Sequence, residues 1–90
     1  MSDPQERIDE LRARIGANDR AIVQAVNERL RLVAELWRVK DEHGGERLDL
    51  DRERRLREEL AAANGGPLSP EGLDALVSEL LALTKRELGA

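Results

Sequence analysis

The chain has no cysteine, no phenylalanine and no tyrosine, and it carries one tryptophan, one histidine and three prolines. Without cysteine there is no disulfide, no thiolate metal site and no cysteine nucleophile. A single aromatic ring offers no platform for stacking single-stranded bases. A formal charge of −4 opposes binding of nucleic acid through general electrostatics. No apolar run approaches the roughly 20 residues of a membrane span, and Met1-Ser2-Asp3-Pro4 lacks the apolar character of a secretory signal. The expectation is a soluble, cytoplasmic chain with no metal, no nucleic acid and no membrane among its partners.

What is present favours helices. The apolar residues are mostly leucine and alanine, with few β-branched residues, a set poor in strand formers. Charged residues make up 38% of only 90, so surface is plentiful and core is scarce. Such a chain gains most by burying apolar surface against a second copy.

From Pro4 to about Glu42 no further proline occurs and the only glycine is Gly16. Ile8, Leu11, Ile15, Ile22, Val26, Val33 and Leu36 recur at three-, four- and seven-residue spacings, as on an amphipathic helix. Asp3 and Pro4 read as N-cap and first helical residue. The spacing predicts a helix over about 4–43, ended by the glycines after His43. Nearly forty residues span roughly 55–60 Å, against a diameter of about 30 Å for a compact chain of this length. Such a helix must pack on something, most simply on its own copy.

A second helix is expected over about 50–63, capped by Asp49 or Asp51, with Leu56 and Leu60 inward. Asn64-Gly65-Gly66-Pro67 breaks the chain. Ser69 and Pro70 then start a third helix over about 70–88, with Leu73, Leu76, Val77, Leu80, Leu81 and Leu83 as its apolar stripe. The expected fold class is all-α, with three helices (long, short, medium) in one domain spanning 1–90 and forming an intertwined homodimer.

Certain charges sit on the apolar faces. Positions 8, 15, 22 and 29 share a heptad phase that ends in Arg29, and positions 26, 33 and 40 share one that ends in Lys40. Eleven residues place Arg29 and Lys40 within roughly 20° of one face and about 16 Å apart along the axis, so two long side chains could grip a small anion. Inward cations also commonly snorkel to the surface or pair with a carboxylate. Arg12 lies about 25 Å from Arg29 along the helix, so a small ligand touching both requires Arg12 from an antiparallel partner. Asp49, Arg52 and Glu53 share a face of the second helix's first turn, where an acid also suits the helix dipole.

Leu11-Arg12 followed by Ile15 and Asp19, then Glu28-Arg29, Lys40 and Asp49-Leu50-Asp51-Arg52-Glu53, together resemble the all-helical chorismate mutase family over nearly the whole chain. The segment Gly44-Gly45-Glu46-Arg47-Leu48 and the ending Arg86-Glu87-Leu88-Gly89-Ala90 look most like its short actinobacterial intracellular subgroup. The resemblance implies rearrangement of chorismate to prephenate without cofactor or covalent intermediate. It implies that Arg12 of the partner chain and Arg29 bind the two substrate carboxylates. Lys40 donates to the ether oxygen, Glu53 and the backbone near Asp49 hold the ring hydroxyl, and Arg52 adds positive field. Thr84 stands where the family often has a serine that helps hold a carboxylate. The subgroup implies docking onto DAHP synthase, which raises an intrinsically modest activity.

Some positions depart from the family. Leu88 stands where many members carry a glutamine that donates to the ether oxygen, and neither Lys85 nor Arg86 is an assured replacement. Trp37 occupies a position where a small residue is common, and a lone tryptophan on an apolar face is expected to pack in a core or against a partner. His43 reads as a helix-end residue. Two other readings stand beside the mutase. One is a related enzyme acting on 4-amino-4-deoxychorismate or isochorismate through the same dianion grip. The other is a non-catalytic helical dimerisation or regulatory module, in which Arg29, Lys40 and Glu53 are surface or pairing charges.

Overall fold

The computed structural model describes residues 3–89; Met1, Ser2 and Ala90, which belong to the N- and C-terminal segments read above, lie outside them. The described residues form three helices and no strand: α1 over Pro4–Glu42, α2 over Leu50–Ala63 and α3 over Pro70–Leu88. The chain is all-α, as composition and periodicity predict.

Local chemistry accounts for where each helix begins and ends. Asp3 accepts a hydrogen bond from the Gln5 amide at 3.3 Å, and Pro4 follows at the first position, where a missing N–H costs nothing. Asp49 accepts from the Arg52 amide at 3.0 Å, which makes Asp49, rather than Asp51, the cap of α2. Ser69 accepts from the Gly72 amide at 3.0 Å ahead of Pro70. At the end of α1, Gly44 takes a left-handed φ of 74°, and the Gly45 amide donates to the Lys40 carbonyl at 2.7 Å. That backbone conformation strains a residue with a side chain. Asn64 closes α2 by a different device: its side chain bridges the Leu68 carbonyl and the Gly66 amide, which holds the turn into α3.

The chain divides inside α1 into two units, Met1–Leu32 and Val33–Ala90. The first consists of the longer part of α1. Ile8, Leu11, Ile15, Ile22 and Val23 are exposed there by 39–60%, and no residue of α1 is buried. Ion pairs one turn apart, such as Arg7 with Glu10 at 3.0 Å, contribute only a few tenths of a kcal/mol each. Most helical stability comes from packing of an apolar face, and the described residues of this unit offer nothing else on which to pack.

The second unit holds the end of α1 and the α2–α3 hairpin. Val77, 1% exposed, is the buried hydrophobic residue among those described, and Thr84 at 5% is the buried polar one. Leu56 and Leu60 of α2 are half-buried, as are Leu73, Leu80 and Leu81 of α3. Arg57 ties the two helices together, donating to Asp74 and, at 3.0 Å, to the Ser78 hydroxyl. Leu76, expected in the stripe of α3, is 49% exposed. It lies 100° around the helix from Val77, beside the buried face rather than on it.

Candidate active site

Lys40 is reached from two directions within the second unit. It occupies the last turn of α1, where a cation suits the negative end of the helix dipole. The chain then reverses through Gly44 and Gly45 and returns to start α2 at Asp49. Gly45 passes so close that a Cβ built there would lie 3.4 Å from Cβ and Cγ of Lys40. A cleft of about 560 Å³ opens between these segments, lined by Lys40, Glu46, Leu48, Asp49, Leu50 and Asp51. Lys40 is half-buried at its wall.

The site residues expected from the sequence therefore divide. Lys40 and Asp49 share the cleft. Arg52 and Glu53 follow Asp49 in the first turn of α2 without lining it. Arg52 is exposed and lies 3.7 Å from Glu59, and Glu53 is half-buried. Thr84 is buried in α3, with its hydroxyl donating to the Leu80 carbonyl at 2.7 Å. Arg12 and Arg29 belong to the first unit, where Arg12 is exposed and Arg29 half-buried. The Asp49 carboxylate is engaged with its own helix, so what it presents to the cleft is the start of a helical backbone. Asp49→Asn, an equally good cap, should therefore leave turnover within about threefold. An activity loss of a hundredfold with α2 intact by circular dichroism would assign the carboxylate itself a role.

Glu46 and Asp51 line the cleft without having been read as site residues in the sequence. They follow from loop and helix-start positions adjoining Asp49, and spacing carries no signal for which way a loop acid turns. The cleft then holds one cation against three acids, Glu46, Asp49 and Asp51.

A second cluster adjoins the first. Arg47 donates twice to Asp41, Nη2 to Oδ2 at 2.7 Å and Nε to Oδ1 at 3.3 Å. Its guanidinium carbon also lies 5.0 Å from the centroid of the Trp37 ring, within cation–π range. Trp37, Asp41, Arg47 and Leu88 line a cleft of about 400 Å³. Trp37 is thus half-buried with its face against a loop arginine. Leu88 lines this cleft, while Lys40 lines the other. Arg86 is held by Glu79 at 2.8 Å.

The Arg47 hydrogen bonds hold the Asp41 carboxyl below its ordinary value of 3.8, against a smaller opposing effect of desolvation, with charge attraction adding to the lowering. A carboxylate depressed in this way contributes stability above its unfolded value, which is lost as pH falls through the lower folded value. The Asp41–Arg47 contact should therefore persist through neutral and mildly acidic solution and open below pH 3.8. Carboxyl carbon NMR of Asp41 reads this directly, and a midpoint at or above 3.8 would contradict it.

Residues 11–87 match the family model for chorismate mutase type II. No curated protein matches the chain. Two solved structures of chorismate mutase from Thermus thermophilus, forms I and II, are each 33% identical with a TM-score of 0.83. Both cover 87% of this chain, which in turn covers 98% of the form I chain and 89% of the form II chain. The family match runs from the residue before Arg12 through α2 and into the last turn of α3, so most of α1, the reversal after Lys40 and the Lys40 cleft all fall within it: the chain belongs to the type II chorismate mutase family.

Proposed function

We propose that the chain rearranges chorismate to prephenate at sites built around Lys40 and completed by arginines from both copies of a homodimer. The observation that carries this reading is Lys40, half-buried on the wall of a cleft, in a chain of this family.

The reaction breaks an ether C–O bond ahead of forming a C–C bond, so negative charge grows on the ether oxygen in the transition state. A fixed ammonium aimed at that oxygen stabilises the transition state more than the ground state, and that difference is what accelerates a reaction. No nucleophile and no general base is required. The remaining task is to hold a flexible dianion folded in its reactive conformer, for which paired guanidinium forks suit carboxylates.

Charge supports the shared site. One lysine among Glu46, Asp49 and Asp51 repels a dianion more than it attracts one. Arg29 and, from the partner, Arg12 supply the missing cations. The exposed Ile8, Leu11, Ile15 and Ile22 of α1 supply an apolar face for the partner to cover. Glu53 and the backbone at Asp49 take the ring hydroxyl, Arg52 adds positive field, and Thr84 supports a carboxylate. Leu88, lining the other cleft, gives no second donor to the ether oxygen, and intrinsic turnover is modest.

The finer placement in the short actinobacterial intracellular subgroup rests on the Gly44–Leu48 segment and the tail from Arg86, and carries with it a cytoplasmic location and activation by DAHP synthase. Incubation of the purified chain with chorismate, alone and with DAHP synthase, should give prephenate, faster in the mixture. No prephenate in either case would refute the mutase reading. No rate increase, and no complex by gel filtration, would refute the partner. Turnover on 4-amino-4-deoxychorismate and isochorismate in parallel ranks the substrates.

A further inference from the structure

Trp37 and Asp41 are four residues apart on α1 and therefore stand one above the other on one face. Arg47 returns across the glycine reversal to meet both, over the indole ring and forked onto the carboxylate. Between Asp41 and Arg47 lies the segment whose Gly45 amide donates to the Lys40 carbonyl at 2.7 Å and which runs alongside the Lys40 stem. Two residues beyond Arg47, the same segment delivers Asp49 and the start of α2 to the opposite side of the Lys40 cleft.

We propose that Arg47 is a positioning residue: by latching the α1–α2 connection onto Trp37 and Asp41, it fixes Lys40 and the start of α2 on the two sides of one cleft. Each part of the latch does something the others cannot. The planar fork requires arginine, since lysine pairs as a point charge and neither forks nor stacks. Trp37 supplies a flat, half-buried face and accounts for a large side chain at that position. Gly45 brings the loop within van der Waals reach of the Lys40 stem, where a Cβ would lie 3.4 Å from its Cβ and Cγ. The contact is partly solvated, with Arg47 41% and Asp41 49% exposed in their side chains. Its function is thus local order rather than global stability. Both partners are held in their charged forms, Asp41 lowered and Arg47 raised by the bonds they share, so the latch stays closed at neutral pH.

The latch itself rests on geometry alone; its effect on turnover rests on the mutase reading, and the test separates the two. Arg47→Ala, Arg47→Lys and Asp41→Asn are compared with wild type in amide exchange at Gly45 by NMR, in emission of Trp37, the sole tryptophan, and in kcat and KM with chorismate. Circular dichroism confirms that each variant keeps its helices. With Arg47→Ala the Gly45 amide should exchange at least about tenfold faster, and Trp37 emission should shift. The kcat should fall by about tenfold to a hundredfold with KM changed less, as small misplacements of a reacting group do. Arg47→Lys should recover only part of each effect, and Asp41→Asn should lie between wild type and Arg47→Ala. Unchanged Gly45 exchange and Trp37 emission in a folded Arg47→Ala variant would overturn the latch, as would full recovery by lysine. Faster exchange with unchanged kcat would overturn the positioning role. Should wild type form no prephenate, the mutase reading falls, while Gly45 exchange and Trp37 emission still decide whether the latch exists.

Discussion

Lys40→Ala should lower kcat by at least about 10²–10³, the usual cost of removing a donor aimed at charge that develops only in the transition state. KM should rise much less, because the carboxylate grips that hold the ground state are elsewhere. Arg29→Ala should lower kcat/KM at least as far, but with a different signature: KM rises too, since a carboxylate of the ground state loses its partner. Steady-state kinetics on purified, helical variants separates these outcomes. A Lys40→Ala variant retaining a tenth of wild-type kcat would remove the lysine from the chemistry. The same result would favour reading its position as an ordinary cation at a helix C-terminus.

The second large effect concerns the partnership. If Arg12 serves the site of the other chain, Arg12→Ala and Lys40→Ala are each inactive alone, because both sites of each homodimer carry the same defect. Mixing the two after denaturation and refolding gives half heterodimers, and each heterodimer has one site with both residues intact and one with neither. The mixture should recover roughly a quarter of wild-type activity, as the statistics of a two-fold assembly require. Recovery near zero in a mixture shown to exchange subunits would place Arg12 and Lys40 in the same chain's site or separate them altogether. The exposed α1 face predicts a related result: paired Ile15→Glu and Ile22→Glu changes should lower the mass seen by sedimentation to that of one chain and reduce helicity, since isolated helices of this kind are marginal in water.

Much of the architecture was legible because its causes are short-range. Apolar spacing along α1, the Ser69-Pro70 start and the glycine stop after His43 act within a few residues, so a linear reading recovers them. The candidate cations were legible for a similar reason: Arg29 and Lys40 interrupt stripes that are otherwise apolar, and both are half-buried on the helix. The choice of Asp49 over Asp51 as cap was not legible, because both can accept the same kind of bond and the backbone angles of the loop decide between them. Leu76 stays exposed within the single chain because an apolar stripe is wider than the face one neighbouring helix can cover. Arg47 entered the sequence reading only as part of the Gly44–Leu48 segment, although Trp37 and Asp41 at a four-residue spacing on the helix before it were the signal that a returning cation would be caught there.

From its order of residues alone, this chain determined its three helices, most of their ends and the chemical character of the groups available for a dianion, since each depends on neighbours within about one or two turns. The tertiary structure alone decided that Lys40 meets the start of α2 across a cleft, that Leu88 faces a different one, and that Arg47 lies on Trp37. Those outcomes depend on where the backbone goes after it reverses at Gly44, and a contact across a reversal is set by three-dimensional closure rather than by spacing along the chain.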